Sequence, residues 1–256
     1  METKKFWVLD PLGNEILRDL EDENKDFTID RYYNKEFDSN NYQWHEMFYN
    51  YVYDDIGCDY ERYGCYIREG DVVLDLGANI GIFAHRAEFR GASKVISFEP
   101  ITPTFNCLTK NKGPKTLTYK NAVGGKNGFA TFRIHTDFTH IGGGTSEDQD
   151  SLLNQRQIIH SERVIVVGIN EIFEGMDTKI DFMKIDIEGG EVDVLTSITD
   201  NNLLSLRCLS AEFHNCYTGF VEFQEQFIKR MENLGFKFFI VYYGNGDLRT
   251  LTFWKE

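Results

Sequence analysis

Short hydrophobic runs alternate with longer amphipathic stretches along most of the chain from residue 71 onward. The short runs are rich in β-branched and aromatic side chains and are bounded by polar or glycine residues, which is typical of strands. The predicted strands are residues 72–76, 94–98, 117–122, 182–187, 208–213, 237–242 and 250–254. The amphipathic stretches that follow several of them predict helices over residues 82–89, 102–111, 191–198 and 222–234.

The order of these elements predicts the fold class. Strands that alternate with helices form a parallel sheet covered by helices on both faces. The last two predicted strands are instead joined by Gly244-Asn245-Gly246-Asp247, whose residue types favour a hairpin and therefore an antiparallel pair. We predict an α/β fold with a seven-stranded, mostly parallel sheet and an antiparallel C-terminal edge.

Two regions depart from this alternation. Residues 129–170 form an insertion with two predicted strands, 129–134 and 163–167, around a polar stretch. Residues 1–60 are acidic and rich in aromatic side chains, and we predict that they form a cap or lid on a domain of residues 61–256.

Aromatic residues dominate the end of the predicted cap, with twelve between positions 32 and 66. Trp44, Phe48 and Tyr51 are spaced like one face of a helix, which favours a helical N-terminal aromatic cap packed on the sheet. A second interpretation is that some of these rings line a substrate cleft and stack on sugar faces. Further upstream, residues 6–9 and 15–17 predict a short hairpin or a loose arm.

Composition narrows the possible partners. The 256 residues include 27 Lys and Arg against 41 Asp and Glu, a formal net charge of −14, so general binding to nucleic acid or to an anionic membrane is disfavoured. The sequence shows neither a secretory signal pattern nor a membrane-length apolar run, and we expect a cytoplasmic protein. The five cysteines are scattered without a C-x-x-C pair, which favours reduced thiols over disulfides or zinc.

The strongest chemical signal is the segment Asp75-Leu76-Gly77-Ala78-Asn79-Ile80-Gly81, where a predicted buried strand passes into a helix. Glycines permit a tight turn there and close approach of a ligand, and open α/β sheets bind ligands at this end of their strands. Asp75 stands where a pyrophosphate would be repelled, so the segment favours a cationic ligand over a dinucleotide.

The next predicted strand also ends in an acidic residue, Glu99, which is followed by Pro100. A carboxylate at that position can accept both hydroxyls of a ribose. The ligand predicted from both strands is therefore adenosine-like, positively charged and free of a pyrophosphate. S-adenosylmethionine meets these conditions, whereas NAD does not.

With these motifs the chain resembles S-adenosylmethionine-dependent methyltransferases, and among them the FkbM family. The matching segments are residues 69–81, 97–100, 121–124 and 184–191. The resemblance implies a Rossmann-like methyltransferase fold and an O-methyltransferase activity. It also implies that Asp75, Gly77 and Asn79 line the methionine end of the cofactor, that Glu99 holds the ribose, and that Asn121 and Ala122 lie near the adenine. The full set of candidate cofactor-binding residues is Asp75, Gly77, Ala78, Asn79, Gly81, Glu99, Pro100, Asn121, Ala122 and Asp186.

Candidate catalytic residues follow from two later strands. Side chains alternate along a strand, so Lys184 and Asp186 lie on the same side of one predicted strand. For the same reason Glu212 and His214 lie on the same side of the next predicted strand. Asp186 is the first candidate for the general base and His214 the second, with Lys184 and Glu212 orienting the base or the acceptor. The alternative is a structural Lys184–Asp186 pair.

A metal site is a further possibility, because Asp186, Glu188, Glu191 and Glu212 could supply oxygen ligands to Mg²⁺. The same carboxylates suit a cationic cofactor without a metal, and we predict no metal. The predicted function is methyl transfer to a hydroxyl of a sugar, glycoconjugate or polyketide-like small molecule, with the oligomeric state open. The alternatives are an amine or polypeptide acceptor, or a non-catalytic S-adenosylmethionine-binding protein.

Overall fold

The computed structural model describes residues 5–9, 15–19, 58–135, 158–214, 219–243 and 248–256. Its strands are β1 (Lys5–Leu9), β2 (Glu15–Asp19), β3 (Val72–Leu76), β4 (Lys94–Phe98), β5 (Thr116–Tyr119), β6 (Ala122–Gly124), β7 (Gly128–His135), β8 (Ile158–Gly168), β9 (Phe182–Ile185), β10 (Cys208–His214), β11 (Lys237–Tyr243) and β12 (Leu248–Trp254). Its helices are α1 (Ile82–Phe89), α2 (Thr102–Asn111), α3 (Ile169–Glu174), α4 (Glu191–Ser197), α5 (Asp200–Ser205) and α6 (Phe220–Asn233). None of the described helices is long and apolar enough to cross a membrane.

The central sheet has seven strands in the order β11-β12-β10-β9-β3-β4-β5. Neighbouring strands are parallel from β10 to β5, whereas β12 is antiparallel to both β10 and β11. The predicted Rossmann-like sheet with an antiparallel C-terminal edge is confirmed. Its parallel strands all end at one edge, and the acidic residues of the motifs lie there.

Two hydrophobic clusters cover the two faces of this sheet, because side chains alternate along each strand. Leu74 and Met183 belong to the larger cluster, which α3, α4 and α6 complete. Val73 and Phe182, their neighbours in sequence, point to the opposite face and pack beneath α1 and residues 58–67. Helices on both faces are therefore confirmed, and the second face also carries a stretch of chain that precedes β3.

Several predicted strands have different bounds in the structure, and two of them end earlier than predicted. Residues 117–122 are not one strand: β5 ends at Tyr119, and β6 pairs with β8 in a separate three-stranded sheet of order β6-β8-β7. Lys120 lies between them and forms an ion pair with Glu162, at 2.8 Å between Nζ and Oε1, which holds the chain where it leaves the central sheet. The strand predicted to end at residue 187 ends at Ile185.

The hairpin predicted near the N-terminus is confirmed as the antiparallel pair of β1 and β2. Glu15 of this hairpin forms an ion pair with Lys110 of α2 and accepts a hydrogen bond from Asn106, at 2.8 Å. The predicted helical cap with Trp44, Phe48 and Tyr51 lies outside the described residues, as does the polar stretch of the insertion. The domain boundary after residue 60 stays a prediction.

Candidate active site at the carboxyl edge of the sheet

A row of polar side chains crosses four neighbouring strands on the face covered by α1. Asp75 of β3 pairs in register with Ser97 of β4 on one side and with Lys184 of β9 on the other. Ser210 of β10 continues the row beside Lys184. All four side chains are buried, and each has the strand parity of the hydrophobic residues beneath α1. A buried polar row of this kind is costly unless its charges are matched.

Lys184 supplies that match at the centre of the row. Its Nζ donates a hydrogen bond to the Gly77 carbonyl at 2.7 Å and lies 3.4 Å from carboxylate oxygens of both Asp75 and Asp186. Burial alone would lower the pKa of Lys184, but Asp186, Asp75 and Glu212 together outweigh it and raise that pKa. Lys184 is therefore a buried ammonium that joins the ends of β3 and β9.

Asp75 is completely buried below the glycine turn. Burial raises the pKa of its carboxyl, and the neighbouring Lys184 opposes that shift. Its Oδ2 accepts a long hydrogen bond from Ser97 at 3.4 Å, whereas Oδ1 takes part in the ion pair with Lys184 but has no hydrogen-bond partner among the described residues. The structure thus places Asp75 beneath the site, and direct contact with a cofactor stays a prediction.

The glycine turn after β3 is shaped by two neighbours. Gly77 has a φ of 76°, and a Cβ there would lie 1.7 Å from the Asp186 carbonyl oxygen, so only glycine fits between the ends of β3 and β9. Asn79 has a left-handed φ of 50°, unusual for a residue with a side chain. Its backbone N–H donates to Glu99 at 3.0 Å. The turn therefore links the tips of three strands.

Glu99 is buried at the end of β4 and oriented by several donors. Besides the Asn79 amide, it accepts hydrogen bonds of 2.9 Å from the Ile101 N–H and from the Thr104 hydroxyl. Burial raises the pKa of the Glu99 carboxyl to about 7, although these donors favour its charged form. Glu99 consequently changes charge close to neutral pH.

The remaining predicted cofactor residues are spread along the same edge. Gly81 begins α1 with a φ of 97°, and a Cβ there would lie 2.9 Å from Leu108 of α2, so this glycine serves helix packing. Asn121 is half-buried where the chain leaves β5, and Ala122 is buried in a small cluster with Ile101 and Phe132. Ala78 is buried in the glycine turn, and Pro100 is half-buried directly after Glu99.

Tyr60 lies between the predicted catalytic carboxylates. The sequence analysis did not identify this residue. Its hydroxyl lies 2.9 Å from Asp186 Oδ2 and 2.5 Å from Glu212 Oε2. Its ring packs edge-on against Phe83 of α1, at 5.6 Å between centroids, and lies 5.2 Å from Lys184 Nζ. The only sequence signal was its place in the aromatic-rich region, which could not single it out from eleven neighbours.

Glu61 explains why Tyr60 is held there. Its carboxylate and the guanidinium of Arg86 on α1 form an ion pair in which both side chains are completely buried. The same carboxylate accepts a hydrogen bond from the Ile67 N–H at 2.8 Å and lies 3.6 Å from Arg90 Nε. This anchor fixes residues 58–67 on α1 and, with them, the neighbouring Tyr60.

The four candidate metal ligands have different surroundings in the structure, and two of them, Asp186 and Glu212, both contact the Tyr60 hydroxyl. Glu191 is buried, and its carboxylate accepts hydrogen bonds of 3.0–3.1 Å from the N–H groups of Ile187 and Gly189, so it closes the turn at the start of α4. Glu188 has a left-handed φ of 58° in that turn. No group of three or more His, Cys, Asp or Glu within the described part of the chain is arranged to hold a metal ion.

His214, the second candidate for the general base, ends β10 beside Leu248, and its side chain lies outside the described residues.

A known family model matches most of the domain that contains these strands. The model of the methyltransferase FkbM domain matches residues 75–238, which include every strand tip described above. The protein named 31-O-demethyl-FK506 methyltransferase FkbM, from Streptomyces tacrolimicus, is 30% identical over 195 residues, which cover 64% of this chain and 74% of that protein. The AMB antimetabolite synthetase AmbE of Pseudomonas aeruginosa is 27% identical over 200 residues, again 64% of this chain.

Among solved structures, a methyltransferase FkbM from Methylobacillus flagellatus superposes with a TM-score of 0.47 and 14% identity, over 81% of this chain. The chain spans 9% of the length of AmbE and 48% of that of the M. flagellatus protein. The matched family model is that of a methyltransferase domain. The chain belongs to the FkbM methyltransferase family, because the family model covers more than half of it. Membership implies S-adenosylmethionine as the methyl donor in general.

Proposed function

We propose that this methyltransferase moves a methyl group from S-adenosylmethionine to a hydroxyl oxygen of a sugar, glycoconjugate or polyketide-like small molecule. The observation that carries the proposal is the meeting of Asp186, Lys184 and Tyr60 beside the glycine turn. A buried lysine and a tyrosine hydroxyl hold a carboxylate there, where it can take a proton. The name of the S. tacrolimicus relative specifies methylation of an oxygen, which supports a hydroxyl acceptor.

The residues present fit a cationic nucleoside. Carboxylates outnumber ammonium groups among the described side chains at this edge: Asp75, Asp186 and Glu212 surround Lys184, and Glu99 is buried at the end of β4. A negative site with a low-dielectric floor favours a positively charged ligand.

Each part of the cofactor has a candidate partner. We propose that Glu99 holds the ribose hydroxyls, that Gly77 and Asn79 line the methionine portion, and that Asn121 and Ala122 lie near the adenine. When bound, the sulfonium supplies an electrophilic methyl group.

Asp186 removes the proton of the acceptor in this proposal. A positioned general base contributes typically about 10²–10⁴-fold to a rate. Lys184 offsets the charge of Asp186 before it accepts the proton, and Glu212 orients the acceptor or the base. His214 remains the second candidate, because it ends the adjacent strand β10.

Cofactor affinity is expected to depend on the charge of Glu99. A carboxylate accepts hydrogen bonds from ribose better when ionised, and the pKa of Glu99 is about 7. The ionised fraction falls from about nine-tenths near pH 8 to about one-tenth near pH 6, so S-adenosylmethionine should bind about tenfold more weakly near pH 6. Calorimetry at both values measures this.

Glu99→Gln is the matched control, because every other titrating group, including the amine of the cofactor, is unchanged. The pH dependence should flatten in this variant. An equal pH dependence in both proteins would show that Glu99 does not hold the ribose through its charge.

The acceptor is tested by transfer of a labelled methyl group to a panel of free and nucleotide-linked sugars, glycosides and macrocyclic alcohols, with and without EDTA. Label on a hydroxyl oxygen supports the proposal, and insensitivity to EDTA supports the absence of a metal. Label on an amine or polypeptide would replace the acceptor class. Cofactor binding without transfer to any pool would favour a non-catalytic protein.

We also propose that the protein works in the cytoplasm on a small molecule or glycan, and not generally on nucleic acid or membranes. The net charge of −14 supports the exclusion of nucleic acid and membranes, because it repels phosphate backbones and anionic lipids.

A further inference from the structure

The Tyr60 hydroxyl lies between two carboxylates and can donate only one proton. Its distances to Asp186 Oδ2 and Glu212 Oε2, 2.9 Å and 2.5 Å, are both within hydrogen-bond range. An ionised carboxylate only accepts hydrogen bonds. Both contacts can therefore be hydrogen bonds only when Asp186 or Glu212 carries a proton of its own. The three side chains therefore form a unit in which both hydrogen bonds exist when one of the two carboxylates is protonated.

The surroundings keep this unit in place and control its charge. Lys184 of β9 lies 3.4 Å from Asp186 Oδ2, and it also pairs with Asp75 of β3. The Phe83 ring of α1 packs at 79° to the Tyr60 ring and brings no charge. The hydroxyl is therefore aimed at the two carboxylates by packing on one side and by the Glu61–Arg86 anchor next to it in sequence.

We propose that Tyr60 is a positioning residue that passes the proton of the acceptor from Asp186 to Glu212. The inference rests on the proposed role of Asp186 as the base. The acceptor oxygen bonds to the methyl carbon while the bond from that carbon to sulfur breaks, and the electron pair of that bond stays on sulfur. The acceptor O–H bond breaks as well, and the proton bonds to Asp186. Asp186 then gives a proton to the Tyr60 oxygen, which releases its own to Glu212 Oε2. Asp186 and Tyr60 return to their starting states, and Glu212 gains one proton.

In this proposal the hydroxyl of Tyr60 takes part in proton transfer, which a purely structural role of its ring would not require. Without the hydroxyl, the proton stays on Asp186 beside the product, and the base is not restored until solvent removes it. The rate of turnover should then depend on pH differently from the wild type, while the affinity for the cofactor should not change.

The test compares Tyr60→Phe with Tyr63→Phe, a control in the same segment whose side chain is 55% exposed. Infrared difference spectra of the ligand-free proteins, titrated with acid, report the carbonyl stretch of a protonated carboxyl. We expect this band in the wild type and in Tyr63→Phe, and a changed midpoint in Tyr60→Phe. Glu212→Gln should also change the midpoint of this titration, so the proposal can still be tested if Tyr60→Phe does not fold.

The kinetic arm uses the acceptor found in the labelled panel. Tyr60→Phe should lower kcat by about tenfold to a hundredfold, less than loss of the base itself, and should shift the acidic limb of the pH profile with both KM values unchanged. Infrared and pH profiles that match those of Tyr63→Phe would overturn the proposal. Failure of the wild type to bind S-adenosylmethionine would instead count against the proposed function, because the infrared titration needs no cofactor.

Discussion

Replacing Asp186 by asparagine is expected to lower the rate of methyl transfer by about 10²–10⁴-fold, the typical contribution of a general base. Asparagine keeps the size and one acceptor oxygen of the side chain, so the Tyr60 hydroxyl can still donate to it. The amide cannot take the proton of the acceptor. Single-turnover rates with saturating S-adenosylmethionine measure the chemical step directly.

Affinity for S-adenosylmethionine should change little in Asp186→Asn, because Lys184 keeps its ion pair with Asp75 and its bond to the Gly77 carbonyl. Asp177→Asn, on an exposed turn, is the control for a loss of one carboxylate elsewhere. A turnover number equal to that of the control would remove Asp186 from the mechanism and make His214 the leading candidate for the base.

Replacing Glu61 by glutamine should lower the free energy of unfolding by about 3–5 kcal/mol, the usual effect of removing one partner from a buried ion pair. Glu61 and Arg86 are both completely buried, and glutamine leaves the Arg86 guanidinium without this compensating charge. Urea denaturation, with Glu69→Gln as an exposed control on the same segment, measures the change.

A loss of less than about 1 kcal/mol in Glu61→Gln would contradict this account, because it would place the pair among surface ion pairs of small effect. The Glu61–Arg86 pair also connects stability to the site. If Glu61 anchors residues 58–67, Tyr60 should be held less firmly in the variant. Turnover should then fall even at urea concentrations below the midpoint of unfolding.

Most of the central sheet could be predicted because its strands are short, buried and separated by recognisable helices. The bounds of α1 and α2 agree with the predicted helices, since glycine and proline positions mark their starts. The break between β5 and β6 was missed, although Lys120 and Asn121 between them are residue types that are uncommon in strands. What divides them is tertiary: the pairing of β6 with β8 and the Lys120–Glu162 ion pair.

The part of the candidate site that could be predicted from sequence is the part in which strand alternation alone determines which side chains are neighbours. Alternation placed Lys184 beside Asp186, and the structure has their charged atoms 3.4 Å apart. Alternation could not show that Asp75 is paired with Lys184, because that contact joins two strands 109 residues apart. The Asp75 charge, expected from sequence to be open to a ligand, is balanced inside the protein by Lys184.

Tyr60 illustrates a second limit. Its segment has neither strand nor helix periodicity, so no pattern relates it to α1 or to the sheet edge. The buried Glu61–Arg86 pair and the packing of the Tyr60 ring on Phe83 bring its hydroxyl to Asp186 and Glu212. A buried acid next to an aromatic residue, upstream of a glycine turn, is a signal that could be sought in other sequences.

The central claim is that the carboxyl edge of this sheet binds a cationic nucleoside. Isothermal titration of the intact chain with S-adenosylmethionine, and separately with NAD, tests it most directly. We predict one saturable site for S-adenosylmethionine that Glu99→Gln weakens, and no measurable heat with NAD. Saturable binding of NAD, with none of S-adenosylmethionine, would contradict the account.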